Sequence, residues 1–138
     1  MKPTLISGNC HQDERGELFY NNDFDTSCIK RMYVIENHWV DFVRAWQGHK
    51  VEQRWFSAIQ GCFKIQLIAI DNWEKPTENP PILEYILKSV ALDVLQIPAG
   101  YVSSIQALEE KSKLLVMSDY HLGEINDEFR YPMNYFTK

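Results

Sequence analysis

Short runs of β-branched and aromatic residues, separated by turn residues, recur along most of this sequence. Runs of this length and composition predict β-strands, and their regular spacing favours a sandwich or barrel over alternating strands and helices. We therefore predict an all-β fold in a single domain that spans residues 1–138. The predicted strands cover residues 28–35, 42–46, 51–59, 62–70, 83–87, 93–97, 102–107 and 113–118.

The segments around these strands carry further local signals. Gln60-Gly61 lies between two strand-like runs, and because glycine supplies the positive φ of a tight turn, we predict a hairpin over residues 55–70. Prolines at positions 76, 80 and 81 exclude a regular helix or a central strand in residues 72–81, which we interpret as a surface loop. For residues 120–138 we expect a short C-terminal helix packed outside the sheets.

Composition and charge exclude several classes of protein. A length of 138 residues is sufficient for one core without disulfide support, and no apolar stretch is long enough to span a membrane as a helix. The net charge of −5 argues against a nucleic-acid partner. The N-terminus lacks the apolar core of a secretory signal, so a cytoplasmic location is expected. The three cysteines, at positions 10, 28 and 62, have no metal-like or pairing-like spacing and are expected to be reduced.

The most informative stretch is V-R-A-W-Q-G-H-K at residues 43–50, followed by Gly61 and by I-P-A-G at residues 97–100. It resembles the cupin pattern, which has two histidines one residue apart, a glutamate five residues later and a glycine seven beyond that. A second cupin motif, Pro-x-Gly-x-x-His, lies downstream. The glycine and proline positions match, whereas the four ligand positions hold Gln47, His49, Arg54 and Ser103.

This replacement of ligands decides the prediction about metal. A transition-metal site needs three or four converging nitrogen, oxygen or sulfur ligands, and His49 alone remains at the motif positions. Arg54 at a ligand position adds a fixed positive charge beside any cation. We therefore predict a metal-free cupin, which disfavours a metal-dependent dioxygenase.

Motifs in order along nearly the whole chain carry a more specific resemblance. They are D-E-R-G-E-L (residues 13–18), I-K-R-M-Y-V-I (29–35), the stretch 43–50 and L-L-V-M-S-D-Y (114–120). With these motifs the sequence resembles the WxcM-like dTDP-6-deoxy-3,4-keto-hexulose isomerases (sugar 3,4-ketoisomerases), relatives of the RmlC-like dTDP-4-dehydrorhamnose 3,5-epimerases. The resemblance implies a jelly-roll β-sandwich, a homodimer, no cofactor, and a place in deoxysugar and polysaccharide biosynthesis.

The implied reaction moves a carbonyl between C4 and C3 of a nucleotide-linked 4-keto-6-deoxyhexose. Proton abstraction next to a carbonyl needs a base near neutral pKa and a donor to the developing oxyanion. Histidine suits the first task, and tyrosine or arginine suits the second. The resemblance assigns catalytic roles to His49, Tyr33 and Tyr120, and substrate-binding roles to Arg15, Arg44, Gln47 and Arg54.

The sequence departs from the family at Gln47, where family members carry the first histidine of a His-x-His pair. A glutamine amide cannot take up a proton. Because residues two apart on a strand share a face, Gln47 and His49 are predicted to point the same way. Two functions therefore stay open: His49 acts as the sole base, or the domain binds a sugar nucleotide or carbohydrate without turnover. The sugar, the nucleotide base and the reacting carbon also stay open.

Overall fold

The computed structural model describes residues 1–137, which form β-strands joined by turns and loops and contain no helix. None of these residues therefore belongs to a helix that could cross a membrane. The strands are β1 (Thr4–Ile6), β2 (Asn9–Asp13), β3 (Gly16–Tyr20), β4 (Arg31–Ile35), β5 (Val43–His49), β6 (Arg54–Gln60), β7 (Cys62–Ala69), β8 (Leu83–Lys88), β9 (Val94–Ile97), β10 (Tyr101–Ala107), β11 (Lys113–Ser118) and β12 (Glu128–Arg130).

Two five-stranded antiparallel sheets form a sandwich. The first sheet has the strand order β1-β9-β6-β11-β4 and the second has the order β12-β5-β10-β7-β8. Strands β2 and β3 pair only with each other, as a separate hairpin. The all-β prediction is confirmed, and each of the eight predicted strands overlaps an observed one.

The core lies between the inner faces of the two sheets, and β7 shows why its sequence occupies this place. Phe63, Ile65 and Leu67 are fully buried, whereas Lys64 and Gln66 alternate with them on the other face. This is the two-residue period of a strand with one covered face. Burial of each large apolar side chain contributes about 1.5–3 kcal/mol to stability. The rigid scaffold that results carries the cavity at one end of the sandwich.

The predicted hairpin over residues 55–70 is wrong. Strand β6 pairs with β9 and β11 in the first sheet, whereas β7 pairs with β8 and β10 in the second. Gly61 has a φ of 75°, so the glycine makes the turn, but the chain crosses there from one sheet to the other. A glycine with positive φ can make a hairpin turn or such a corner, so the local signal does not distinguish them. Burial of the apolar faces of β6 and β7 in different sheets decides for the corner.

The C-terminal segment also differs from the prediction. Residues 120–137 contain strand β12 and a turn at residues 133–136, with no helix. Phe136 is only 1% exposed and packs edge-on against Trp46, on the face of the second sheet that points away from the core. Tyr131 exchanges two backbone hydrogen bonds with Trp46, so the segment extends along β5 as added sheet. The expected surface loop at residues 72–81 is confirmed, since no strand occurs there.

Candidate active site

A cavity of about 420 Å³ opens between the two sheets at one end of the sandwich. This volume lies within the range of small-ligand sites. Its walls come from β4, β6 and β11 on one side and from β5, β10 and β12 on the other. Five of the residues that the sequence assigned to the site line it together: Tyr33, Arg44, Gln47, His49 and Arg54.

An irregularity in β5 brings three of these side chains to one cavity. In the pairing of β5 with β10, Gln47 lies opposite Ser103 and Arg44 lies opposite Ile105. Two residues of β5, 45 and 46, therefore face the single residue 104, which is a β-bulge. In a regular strand, positions 44 and 47 point to opposite faces. The bulge removes this opposition, so Arg44 joins Gln47 and His49 in lining the cavity.

His49 is buried and both of its ring nitrogens have partners. Nδ1 lies 3.1 Å from Oδ1 of Asp127 and 3.2 Å from Oε2 of Glu52. Nε2 lies 2.8 Å from Nη2 of Arg54. A guanidinium can only donate, so Nε2 accepts this bond and Nδ1 carries the proton that points at the carboxylates. The geometry thus assigns a neutral imidazole protonated at Nδ1.

Asp127 is held as a carboxylate beneath this imidazole. Its Oδ2 accepts hydrogen bonds from the backbone N–H groups of Val51 and Glu52, each at 2.8 Å. Burial raises the pKa of Asp127, but these two backbone bonds and the contact with His49 outweigh burial and lower the pKa to about 2. Asp127 is therefore ionised at neutral pH and orients the imidazole.

Glu52 joins His49 to Arg54. Besides its contact with His49, the Glu52 carboxylate accepts hydrogen bonds from Oγ of Ser118 at 2.7 Å and from Nη2 of Arg54 at 3.3 Å. Arg54 also donates through Nη1 to the hydroxyl of Tyr33, at 3.3 Å. A single hydrogen-bonded network thus connects both sheets at the inner end of the cavity.

Glu52 and Asp127 are not among the site residues predicted from the sequence. The cupin pattern has its carboxylate at position 54, two residues after Glu52, so the pattern does not indicate Glu52. Asp127 is 78 residues from His49 and reaches it only because β12 pairs with β5. No local pattern in the sequence could have indicated that contact.

These carboxylates also bear on the question of metal. His49, Glu52 and Asp127 offer three ligand atoms within 4.8 Å of one another. The number of potential ligands is therefore larger than the cupin motif positions alone indicate. The Arg54 guanidinium nevertheless donates to both His49 and Glu52, and both oxygens of Asp127 already accept hydrogen bonds. The three residues thus fit a hydrogen-bonded network balanced by a guanidinium better than they fit a cation site.

Two cavity arginines lack a carboxylate partner among residues 1–137. Nε of Arg44 donates to the amide oxygen of Asn37 at 3.0 Å, and the guanidinium of Arg31 lies 4.7 Å from the centroid of the Tyr33 ring. A third cavity arginine, Arg130, is paired with a glutamate at the rim. Guanidinium groups without carboxylates suit an anionic ligand such as a phosphate, which they bind through two parallel hydrogen bonds.

Two predicted site residues lie outside the cavity of this chain. Arg15 is exposed at the turn between β2 and β3, where its guanidinium pairs with Asp13 at 2.7 Å. Tyr120 follows β11 and is half-buried, and its ring centroid lies 6.0 Å from Nζ of Lys30. Neither side chain contributes to the cavity wall. The structure therefore gathers five of the seven assigned residues and leaves these two apart.

Comparison with models of protein families gives no match for this sequence, and comparison with curated proteins gives none. Comparison with solved structures finds proteins of similar structure. The chain has the all-β, cupin-like fold shared by structures of sugar-nucleotide isomerases and epimerases.

Three of these structures define the similarity. A mutant of the 3,4-ketoisomerase QdtA from Thermoanaerobacterium thermosaccharolyticum, in complex with TDP-4-keto-6-deoxyglucose, has a TM-score of 0.73 and 22% identity over 98% of this chain and 91% of that chain. A 3,4-ketoisomerase from Helicobacter canadensis has a TM-score of 0.72 and 21% identity over 95% and 92%. The dTDP-4-dehydrorhamnose 3,5-epimerase of Bacillus anthracis, with TDP and PPi bound, has a TM-score of 0.73 and 14% identity over 96% and 79%.

Proposed function

We propose that this protein is a metal-independent isomerase or epimerase that acts on a nucleotide-linked 4-keto-6-deoxyhexose, with dTDP as the expected nucleotide. One observation carries the proposal: a histidine oriented by an ionised aspartate lies in the same cavity as two arginines without carboxylate partners. The first feature suits proton transfer at carbon, and the second suits a diphosphate. The solved structures of the same fold include complexes with TDP and with a TDP-sugar.

In the proposed reaction, His49 removes the proton from the carbon next to the sugar carbonyl. Nε2 accepts this proton, while the Nδ1 proton stays directed at Asp127 and Glu52, whose negative charges stabilise the imidazolium. The carbonyl becomes an enediolate oxygen, which the guanidinium of Arg54 is placed to stabilise. His49 then returns the proton to the former carbonyl carbon, while the hydroxyl proton of the first carbon passes to the enediolate oxygen. The first carbon becomes the carbonyl and the former carbonyl carbon carries the hydroxyl, so the carbonyl has moved by one position.

The remaining assigned residues have supporting roles in this proposal. Arg44 and Arg31 bind the diphosphate, and Gln47 contacts the sugar as an amide. The hydroxyl of Tyr33, which is bonded to Arg54, donates to a sugar oxygen. Tyr120 keeps its proposed catalytic role only if a ligand-bound conformation brings it to the cavity.

The second candidate is a cupin that binds the nucleotide sugar without turnover. Two observations favour it: the amide of Gln47 lines the cavity where a second imidazole is expected, and Arg54 occupies the proton-accepting nitrogen of His49. In this case the same cavity binds the ligand, and His49 only holds Asp127, Glu52 and Arg54 together through hydrogen bonds. Binding and turnover measured on the same preparation separate the two candidates.

Incubation with dTDP-4-keto-6-deoxyglucose in deuterium oxide, followed by NMR, tests catalysis. We expect a new keto-sugar with deuterium at the reacting carbon, loss of turnover in His49→Gln, and normal turnover in the exposed control His121→Gln. Binding of dTDP measured by calorimetry, with neither a new sugar nor solvent exchange, would support the binding candidate. Absence of binding would remove both.

We also propose a cytoplasmic homodimer that acts in deoxysugar biosynthesis for surface polysaccharide. The β2–β3 hairpin has no pairing to either sheet and exposes Leu18 and Phe19, which supports its use as a contact between copies. Arg15 at the tip of this hairpin would contact a ligand only in the cavity of a second copy. Sedimentation equilibrium tests the dimer, and Leu18→Asp is expected to shift it toward monomer.

A further inference from the structure

We propose that Arg54 caps the catalytic base, His49. Its guanidinium donates a hydrogen bond to Nε2 of His49 in the free protein, and it leaves Nε2 when an oxygen of a bound keto-sugar accepts that hydrogen bond instead. Arg54 is then a positioning residue before the ligand arrives and an oxyanion ligand afterwards. The capping step stands on the geometry of the free protein. The release step rests on the proposed function, because it requires a keto-sugar in the cavity.

Only one ring nitrogen of His49 can serve as the base. Nδ1 of His49 is committed to Asp127 and Glu52 at 3.1 and 3.2 Å, so Nε2 is the one nitrogen that could accept a substrate proton. Nε2 lies 2.8 Å from Nη2 of Arg54, which is a short contact with a charged donor. While this bond persists, the lone pair of Nε2 is not available to a carbon acid.

The guanidinium of Arg54 is incompletely hydrogen-bonded in the free protein, so it can leave Nε2. Its side chain is 90% buried, and its Nε has no hydrogen-bond acceptor among residues 1–137. A buried donor without a partner carries a free-energy penalty, so this position of the guanidinium is incompletely satisfied. The other bonds of Arg54, to Glu52 and Tyr33, are both long at 3.3 Å. An additional acceptor from a ligand would satisfy the guanidinium better than the free site does.

Charged groups surround His49 on both sides of its ring. The loop after β5 contributes Glu52, the segment before β12 contributes Asp127, and β6 contributes Arg54. In the strands that pair with β5, Glu128 and Tyr101 lie opposite His49 in register. The two carboxylates lie on the Nδ1 side of the ring, and the guanidinium lies on the Nε2 side. Movement of the guanidinium therefore frees the lone pair of Nε2 when the substrate is in place.

Site-resolved carbethoxylation, a reaction of unprotonated imidazole nitrogen, tests the cap in ligand-free protein. We expect Arg54→Gln to raise the rate at His49 by about tenfold, the factor that corresponds to about 1.4 kcal/mol for one lost hydrogen bond. Arg54→Lys is expected to restore part of the protection. Arg44→Gln, which removes a cavity arginine that does not contact His49, should leave the rate unchanged, and the exposed His121 provides an internal standard. Equal rates at His49 in the wild type and Arg54→Gln would overturn the cap.

The ¹⁵N signal of Nε2 in histidine-labelled protein tests the release. Addition of dTDP-4-keto-6-deoxyglucose should move this signal away from its ligand-free position, in the direction produced by Arg54→Gln, whereas dTDP alone should not. Saturation by the keto-sugar without a change in the signal would overturn the release. If the keto-sugar does not bind at all, the proposed function fails and the release fails with it, whereas the carbethoxylation rates still decide the cap.

Discussion

Nδ1 of His49 lies 3.1 Å from Oδ1 of Asp127, although 78 residues separate the two in the chain. The contact exists because β12 adds to the edge of β5, with Glu128 opposite His49 and Asp127 just before it. It gives the imidazole its orientation, and it adds to the backbone hydrogen bonds from Glu52 and Val51 that keep the carboxylate charged despite its burial. The site and the stability of the edge strand therefore depend on the same pair.

Asp127→Asn is expected to lower the free energy of unfolding at pH 7 by about 1–2 kcal/mol, a value discounted for solvent screening. The pKa of Asp127 is lowered to about 2 in the folded protein, from its ordinary value of 3.8. Its ionised form therefore stabilises the fold above pH 4, and this contribution is lost as the pH falls through 2. Urea denaturation from pH 3 to pH 7 should show the difference between variant and wild type shrinking toward low pH. The exposed Asp41→Asn serves as the control, and a constant difference across this range would contradict the assignment.

Gln47→His is expected to raise kcat, or to create turnover where the wild type only binds. Position 47 lines the cavity with His49, so the new imidazole adds a second proton-transferring group there. General acid–base groups contribute about 10²–10⁴-fold, and even a tenfold gain would establish the point. The control is Gln66→His on the outer face of β7. An unchanged kcat in a Gln47→His variant that still binds dTDP would show that proton transfer does not limit this site.

Arg44→Gln is expected to weaken binding of dTDP by about 10- to 100-fold, the effect of losing one charged hydrogen-bonding partner. Nε of Arg44 is already bonded to Asn37, and Arg44 lines the cavity, so its outer nitrogens can serve the diphosphate. Calorimetry with dTDP and with thymidine separates the diphosphate contribution, because thymidine binding should not change. Lys88→Gln, on exposed β8 away from the cavity, is the charge-matched control. Equal losses for both ligands would place Arg44 elsewhere than at the diphosphate.

Gly61→Ala is expected to destabilise the fold by more than about 2 kcal/mol. A Cβ at this position would collide with the side chain of Ser112, and the φ of 75° disfavours any residue with a side chain. Gly123→Ala provides a matched control, since Gly123 has a φ of 79° with open space around it. Thermal denaturation of both variants separates backbone strain from the collision. Equal losses would show that Ser112 moves aside without cost.

Eight of the twelve strands in residues 1–137 could be predicted, because the apolar alternation that defines them is local. The other four, β1, β2, β3 and β12, were not predicted. Phe63, Ile65 and Leu67 indicate the buried face of β7 without reference to any other part of the chain. Partner choice could not be predicted in this way. The turn at Gly61 has the same sequence signal in a hairpin and in a corner. The partners of β6 and β7 are strands that lie far from them in sequence, so the local pattern does not indicate which strands will pair.

Within the candidate site, the sequence by itself indicated that Gln47 and His49 share a face and that position 47 holds no histidine. The strand that carries them was predicted to end at residue 46, whereas β5 continues to His49. Motif spacing carries that information because it lies within a single strand. Tertiary structure alone decided that Asp127 and Glu52 surround Nδ1 of His49, that Arg54 covers Nε2, and that Arg15 and Tyr120 stay outside the cavity. These contacts depend on strand pairing and on a bulge in β5. Both are decided by the burial of apolar surface over the whole sandwich, which the sequence of a single segment does not determine.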